Sequence, residues 1–525
     1  MSELIHDFEA SLFRYMAGAG IPAPGSPEEK EIFAHLQANF VAQFENAFPD
    51  RLAGKTVVII PSLTLDQEIL QKIEGVNYYE ERMLCLLLLL RMPRTQVVFV
   101  TSVPIDPVVV DYYLHLLPGI TGYHARQRLH LLSCFDSSQV SLTEKILARP
   151  RLMQRIRQSI PNGHLAHMAC FNVTELERTL AVRLHLPVYG CDPDLFHLGN
   201  KSNSRKIFTA CGLNVPAGYE DLHTESEIAD ALMRLKENNP GLRRAVIKIN
   251  DGFSGEGNAV FNYEGVHAEN TATAELQIGM RVRTTPVAQD LTYSAFMNKF
   301  HQMGGIVEEF IEGDKKESPS VQLRINPLGK CDVVSTHDQV LGGEGGQVFL
   351  GAHFPAHPEY AGELGKMGRK VGDALRQRGV LGRFGIDFIS VQEGDQWKHY
   401  AIEINLRKGG TTHPFLMLTF LTDGLYDAET GLYNTANGQK RFYFCSDNLR
   451  EDCFRGLTPH DLIDIAMVHN LQYDGTDQQG VMFHLIGALS QYGKLGVVCI
   501  GDTPEQASNY YRRTCEVLLN ECSQT

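Results

Sequence analysis

Short apolar runs, separated by stretches with helical periodicity, punctuate the first third of this chain. Residues 1–50 are amphipathic and helical in pattern, broken at Ile21-Pro22-Ala23-Pro24-Gly25. Lys55-Thr56-Val57-Val58-Ile59-Ile60-Pro61, Gln96-Val97-Val98-Phe99-Val100 and His130-Leu131-Leu132 have the length and β-branched content of buried strands. Between the first two, residues 78–91 follow a helical pattern. Their apolar run, Leu84 to Leu90, is closed off by Arg82 and Arg91 and is too short to span a bilayer, so it predicts a buried helix. Ser141-Leu142-Thr143-Glu144 opens a further helix with a capping box. Strands alternating with helices predict a parallel sheet covered on its faces. No glycine-rich phosphate loop follows any of these strands, so the unit reads as a scaffold or substrate-side domain.

A boundary falls near residues 187–200. The Lys/Ser-rich segment after it, Lys201-Ser202-Asn203-Ser204-Arg205-Lys206, predicts a helix ending at Gly212, which taken alone is an ordinary solvated one. Ala245-Val246-Ile247-Lys248-Ile249-Asn250 is an apolar strand with one charge inside it. It leads through Asp251-Gly252-Phe253-Ser254-Gly255-Glu256-Gly257-Asn258 into a second strand at 259–261. Glycines let backbone approach a phosphate and offer N–H groups to it, and Lys248 reaches the same oxygens. The loop matches neither standard phosphate-binding motif, and a glycine-rich hairpin by itself is commonly only a turn. Gly305-Ile306-Val307-Glu308-Glu309-Phe310-Ile311-Glu312-Gly313 is a strand stopped by glycine, with Glu309 expected at solvent and Glu308 facing a bound base. Residues 335–355 are expected to be polar, glycine-heavy loops, of functional use or a mobile surface insertion.

One stretch carries the strongest pattern. Ile386-Asp387-Phe388-Ile389 and Tyr400-Ala401-Ile402-Glu403-Ile404-Asn405 read as strands joined by the turn Glu393-Gly394-Asp395-Gln396. Glu403 and Asn405, two apart, leave one face, and Asp387 on the partner strand reaches the same face. Two carboxylates and an amide oxygen make an oxygen-only set of the kind Mg2+ takes. Arg407, two residues further along, suits a phosphoryl or carboxylate group. The competing reading, a surface hairpin with solvated charges, explains a single acidic pair better than it explains this set.

Composition narrows the classes. The 525 residues suffice for two or three domains, with the apolar and charged fractions of an ordinary globular protein. A formal charge of −14 repels nucleic acid and anionic membrane, so neither is expected as a partner. Glu3 and Asp7 sit where a signal peptide has its basic region, and the eleven cysteines include no C-x-x-C pair. Neither zinc nor a disulfide framework is therefore indicated, and a cytoplasmic location is expected.

Taken in order, the lysine-bearing helix with its Gly-x-Pro turn region, the strand lysine Lys248 with its glycine flap, Val307-Glu308-Glu309-Phe310-Ile311-Glu312-Gly313, Gly385-Ile386-Asp387-Phe388 and Glu403-Ile404-Asn405-Leu406-Arg407 resemble the ATP-grasp superfamily from about 200 to 415. Further stretches resemble its pheganomycin-type peptide ligases: 335–339, 351–355, Lys408-Gly409-Gly410-Thr411-Thr412-His413-Pro414, and 481–484 through 500–502. The resemblance implies a mixed α/β and α+β fold: a pre-ATP-grasp α/β domain (1–195), a flap-bearing ATP-grasp subdomain (196–300), a second with the metal site (301–425), and a C-terminal α+β extension (426–525). It implies ATP and Mg2+ as cofactors. Phosphate-binding lysines are expected at Lys206 or Lys201 and at Lys248, beside the flap residues Gly252, Ser254, Gly255 and Gly257. An adenine hinge is expected at Glu308 and the backbone of Phe310 and Ile311, and a ribose contact at Glu317. Asp387, Glu403 and Asn405 would ligate Mg2+, and Arg383 or Arg407 would stabilise the transferring phosphoryl group. The family often has proline after the asparagine; Leu406 stands there instead, which leaves ligation unaffected.

The activity implied is ATP-dependent joining of a small carboxylate to an amine, such as an amino acid or peptide, through an acyl phosphate. Assembly as a homo-oligomer is compatible with this. The rivals are phosphoryl transfer to a hydroxyl on the same fold, and a non-catalytic nucleotide-binding scaffold. Asp338, His353 and His413 are weaker candidates for the substrate sites, since a lone histidine is more often structural.

Overall fold

The computed structural model describes residues 21–65, 70–71, 73–252, 257–266, 273–288, 291–342 and 348–522. The first described helix, Pro27–Ala47, begins where the Pro-Gly break ends: Ser26 accepts from the Glu29 amide, and proline occupies the first turn. Strands β1 (Lys55–Ile60), β2 (Thr95–Thr101), β3 (Leu129–Ser133) and β4 (Leu165–Cys170) form a parallel sheet in the order β3-β2-β1-β4. The first three match the apolar runs. The fourth, Leu165-Ala166-His167-Met168-Ala169-Cys170, was not predicted, because its histidine and alanines dilute the apolar signal that burial on both faces usually gives. Residues 76–91 are helical and buried as expected, but wound as a 3₁₀ helix, with Glu80 and Glu81 inside the core along with the leucines.

Those two glutamates have a measurable consequence. Glu80 accepts from the amide and hydroxyl of Ser102 at 2.7 and 2.5 Å, and Glu81 accepts from the Gly487 amide at 3.0 Å. Burial outweighs these bonds and pushes both carboxyls up to about 7. In the unfolded chain they ionise near ~4.3. Between those values the folded state binds more protons, so stability present at low pH is lost as pH rises through about 7. The expected decline is at most about 3–4 kcal/mol per carboxyl. Urea midpoints at pH 5 and pH 8 test it, and Glu80→Gln should flatten the difference.

A second sheet holds β5 (Gly218–Leu222), β6 (Arg244–Ile249), β7 (Asn258–Asn262), β8 (Thr284–Pro286) and β9 (Gly305–Glu309), antiparallel in the order β5-β9-β6-β7-β8. Its core is closed by the helices Glu225–Asn238 and Tyr293–Met303. The third sheet is larger. It contains β10 (Lys316–Glu317), β11 (Pro319–Ile325), β12 (Cys331–Gly342), β13 (Val348–Phe354), β14 (Gly382–Glu393) and β15 (Gln396–Asn405). After a two-stranded hairpin, β16 (Leu425–Asp427) with β17 (Leu432–Asn434), it goes on with β18 (Phe442–Arg450), β19 (Gly480–His484) and β20 (Lys494–Gly501). The order is β10-β14-β11-β12-β13-β18-β20-β19, with β15 on the other side of β14.

Two expectations change here. Residues 335–340 and 351–354, read as loops, are strand: they lie in β12 and β13, in the interior of the sheet. Their polar residues made them look solvated, whereas Ser335, Thr336 and His337 are buried, and His337 is held by the Tyr443 hydroxyl at 2.6 Å. Residues 343–347 lie outside the described residues. The expected boundary at 426 also does not interrupt the sheet, since β18 pairs directly with β13. One apolar core then runs from the 3₁₀ helix through the helix Thr412–Thr422 to β18, β19 and β20. No helix among the described residues is long and apolar enough to cross a membrane.

Candidate active site

The β14–β15 hairpin sets the geometry. Asp387 stands opposite Glu403 and Gly385 opposite Asn405, so three side chains share one face, as the two-residue period requires. Asn405 Nδ2 donates to Asp387 Oδ2 at 2.9 Å, and Gln339 Nε2, from β12, donates to Asp387 Oδ1 at 3.0 Å. Lys201 Nζ lies 2.5 Å from Glu403 Oε1.

Lys201 opens the helix Lys201–Ala210, and two local features bring it there. Gly199 packs so closely that a β-carbon on it would stand 2.9 Å from the Ile404 carbonyl oxygen. The helix N-terminus is also stitched to the end of β6. Asn250 accepts from Ser202 N and Oγ at 3.0 and 2.8 Å, and its carbonyl accepts from the Lys201 amide at 3.2 Å. The same strand carries Lys248, which ion-pairs with Glu308 of β9.

Burial, then the neighbouring Glu403, push the Asp387 carboxyl up to about 6. Glu403 is also disfavoured by burial, yet Lys201, through charge and hydrogen bond, and then Arg407 hold it below the ordinary value. A half-buried pair of facing carboxylates with an amide beside them is a hard-oxygen donor set. It fits a divalent cation such as Mg2+.

The other predicted residues are placed as follows. Lys206 is half exposed and pairs with Asp221 at 2.5 Å, away from the carboxylates; of the two lysines only Lys201 meets them. Glu308, expected to face a base, has its carboxylate between Lys248 and Arg205, whose Nη1 lies 3.0 Å away. Phe310 closes the strand, its ring under Arg244 at 4.0 Å and its amide bonded to the Arg244 carbonyl at 3.1 Å; Ile311 beside it is buried. Glu317, half-buried on β10, stands opposite Ser390. Gly252 and Gly257 pack backbone to backbone, and a β-carbon on either would lie 3.1 Å from the other's Cα. Ser254 and Gly255 lie outside the described residues.

Arg383 shares the face of Asp387, two strand periods along, opposite Arg324 of β11. Burial and then Arg324 push its guanidinium down to about 10. Arg324 is paired with Asp332 at 2.9 Å, whereas among the described residues no carboxylate pairs with Arg383. Arg407 is desolvated too, and its charge is supported by Glu403 and Asp387. Of the weaker candidates, Asp338 points to the opposite face of β12 from Gln339, accepting from Tyr360 Oη at 2.8 Å and His357 N at 2.7 Å. His353 lies against the Phe444 ring, and His413 meets Asp447 and His484.

Two residues escaped the sequence reading. Arg205 is four residues after Lys201, hence on the same helix face, and that spacing was the available signal. Gln339 was hidden by the reading of its strand as a loop.

Two antiparallel sheets, one carrying Lys248 and the other the carboxylates, accompany a parallel one, and over residues 193–429 the chain is similar to the ATP-grasp superfamily. The family model described as "IQCH-like, ATP-grasp" matches residues 193–290 and 280–429, and that of the "PGM1 C-terminal domain" matches 461–514. The chain is 28% identical over 468 residues to the L-propargylglycine--L-glutamate ligase of Streptantibioticus cattleyicolor, an alignment covering 87% of this chain and 93% of that protein. It is 22% identical over 550 residues to the IQ motif-containing protein H of Danio rerio, covering 93% of this chain and 52% of that longer protein. Among solved structures, the biotin carboxylase of Campylobacter jejuni superposes with a TM-score of 0.52 at 13% identity, covering 89% of this chain and 95% of that one. The biotin carboxylase domain of the Hydrogenobacter thermophilus 2-oxoglutarate carboxylase also gives 0.52, at 11% identity, covering 88% and 89%. These two likenesses establish the fold.

Proposed function

We propose that this protein is an ATP-dependent carboxylate–amine ligase that forms an amide bond through an acyl phosphate and releases ADP and phosphate. The observation that carries the reading is the half-buried meeting of Asp387, Glu403 and Asn405 with Lys201, on a face that also bears the guanidinium of Arg383, which no carboxylate pairs among the described residues. The relative from Streptantibioticus is named for joining two amino acids, which supports an amino acid or short peptide as donor and as acceptor.

In this reading ATP lies between the flap-bearing sheet, which runs on past 300 to include β9, and the sheet that begins with β10, with 1–195 and 426–525 closing the substrate side. Asp387, Glu403 and Asn405 would hold Mg2+, which would supply charge neutralisation for the transferring phosphoryl group. Lys201 and Lys248 take phosphate oxygens, and Glu308 with Arg205 keeps Lys248 in place. The Phe310–Ile311 backbone borders the adenine, with Glu317 near the ribose. Arg383 and Arg407 hold the donor carboxylate and the transferring group, since a desolvated guanidinium favours a bidentate anion. A carboxylate oxygen attacks the γ-phosphorus as the bond to the ADP oxygen breaks. The amine nitrogen then attacks the acyl carbon, phosphate leaves, and the nitrogen loses its proton. The flap around Gly252 and Gly257 closes over the cleft and keeps water from the acyl phosphate. The cytoplasm, with its ATP, is the proposed location.

Hydroxylamine tests the reaction class. Given ATP, Mg2+ and a mixture of amino acids, the enzyme should form a hydroxamate without its natural amine, together with ADP and phosphate. A phosphotransferase gives a phosphate ester and no hydroxamate. AMP and pyrophosphate as products would overturn the acyl-phosphate step.

A further inference from the structure

Apart from the carboxylate pair, a second set of ligand-bearing side chains meets in the core. His413 lies in the first turn of the helix Thr412–Thr422, Asp447 on β18, and His484 ends β19. The Nε2 atoms of the two histidines are 2.9 Å apart. Asp447 Oδ1 lies 2.7 Å from the Nε2 of His484 and 3.2 Å from that of His413. All three residues are buried.

Hydrogen bonding satisfies this triangle only in part. An imidazole nitrogen has one in-plane direction, occupied either by a proton or by a lone pair. If both nitrogens carry protons toward Asp447, the two N–H groups face each other. If neither does, three acceptors converge with nothing between them, and if only His484 does, its proton is shared between Asp447 and His413, whose lone pair still faces the carboxylate at 3.2 Å. A cation at the centre is attractive to all three at once. Four tetrahedral ligands at Zn–N and Zn–O distances stand about 3.3 Å from one another, within a few tenths of an ångström of two of the three separations seen here.

The surroundings are shaped for such a centre. Gly496, opposite His484 on β20, leaves the room its imidazole needs: a β-carbon there would lie 2.0 Å from Nε2. Arg82 Nη2 pairs with Asp447 Oδ2 at 2.7 Å, holding the outer oxygen and leaving Oδ1 to point inward.

We propose that His413, Asp447 and His484 bind a divalent transition-metal ion of the zinc class. Two imidazoles and a carboxylate select such an ion over Mg2+, which prefers oxygen alone. The centre is structural: it ties the turn after Arg407, through His413, to the C-terminal strands that carry Asp447 and His484. It is separate from the Asp387–Glu403–Asn405 set, and does not depend on the function proposed above.

The test uses the untagged full-length chain, so that no nickel resin supplies an ion. After incubation with Zn2+ and desalting, elemental analysis should find about one zinc per chain. Cobalt in its place should give the visible absorption of a four- or five-coordinate ion with nitrogen ligands, which an octahedral Mg2+ site does not. Dipicolinate should lower the melting temperature of the wild type and leave that of His484→Gln unchanged. Wild-type protein that retains less than about a fifth of an ion per chain, or that shows only octahedral cobalt, overturns the proposal whether or not the variant folds.

Discussion

Glu403→Gln is expected to abolish Mg2+-dependent turnover, by at least about 10²-fold, while the protein stays folded. Glu403 is one of two half-buried carboxylates on a single face, and in the absence of a cation its charge raises the ionisation range of Asp387. The amide keeps the shape and removes that repulsion, but it leaves Lys201 without the partner 2.5 Å away. These two effects on stability oppose each other, so the melting temperature without ligands should move little. The stabilisation that Mg2+ and ATP together give the wild type should be lost with the turnover. Near-normal turnover at saturating Mg2+ would contradict the metal assignment. A collapse of the fold would show that the Lys201 pair is structural.

Lys201→Met should cost about 10²-fold or more in turnover, whereas Lys206→Met should cost almost nothing. The two residues lie on one helix and carry the same charge, so the contrast isolates position. Lys201 is buried on the side facing Glu403, and methionine fills its aliphatic length without the ammonium. Lys206 is half exposed and paired with Asp221, an ion pair of the solvated kind worth roughly 0–1 kcal/mol. Parallel assays of nucleotide affinity and turnover decide the matter. An Lys206 variant as damaged as the Lys201 variant would mean that the helix turns when nucleotide binds.

Where a feature is local, the sequence determines it. The period of two places Glu403 and Asn405 on one face whatever else the chain does, whereas the Glu393–Gln396 turn alone would set Asp387 opposite Ile402, and a register shift after Asp387 brings it opposite Glu403. The parallel sheet follows from apolar runs alternating with helical patterns, and Gly212 ends the lysine helix because its φ of +72° suits glycine. Tertiary structure decided what depends on partners distant in sequence. Lys201 rather than Lys206 meets the carboxylates because Gly199 and Asn250 fix the start of that helix against β15 and β6, contacts no periodicity encodes. Glu308 lies between two cations because Arg205, 103 residues away, folds onto it. The polar run of β12 is strand because its neighbours β11 and β13 supply backbone partners and bury its hydroxyls and imidazole. His413, Asp447 and His484 come from three separate elements of one sheet and its covering helix, and only that packing brings their ligand atoms within about 3 Å of one another.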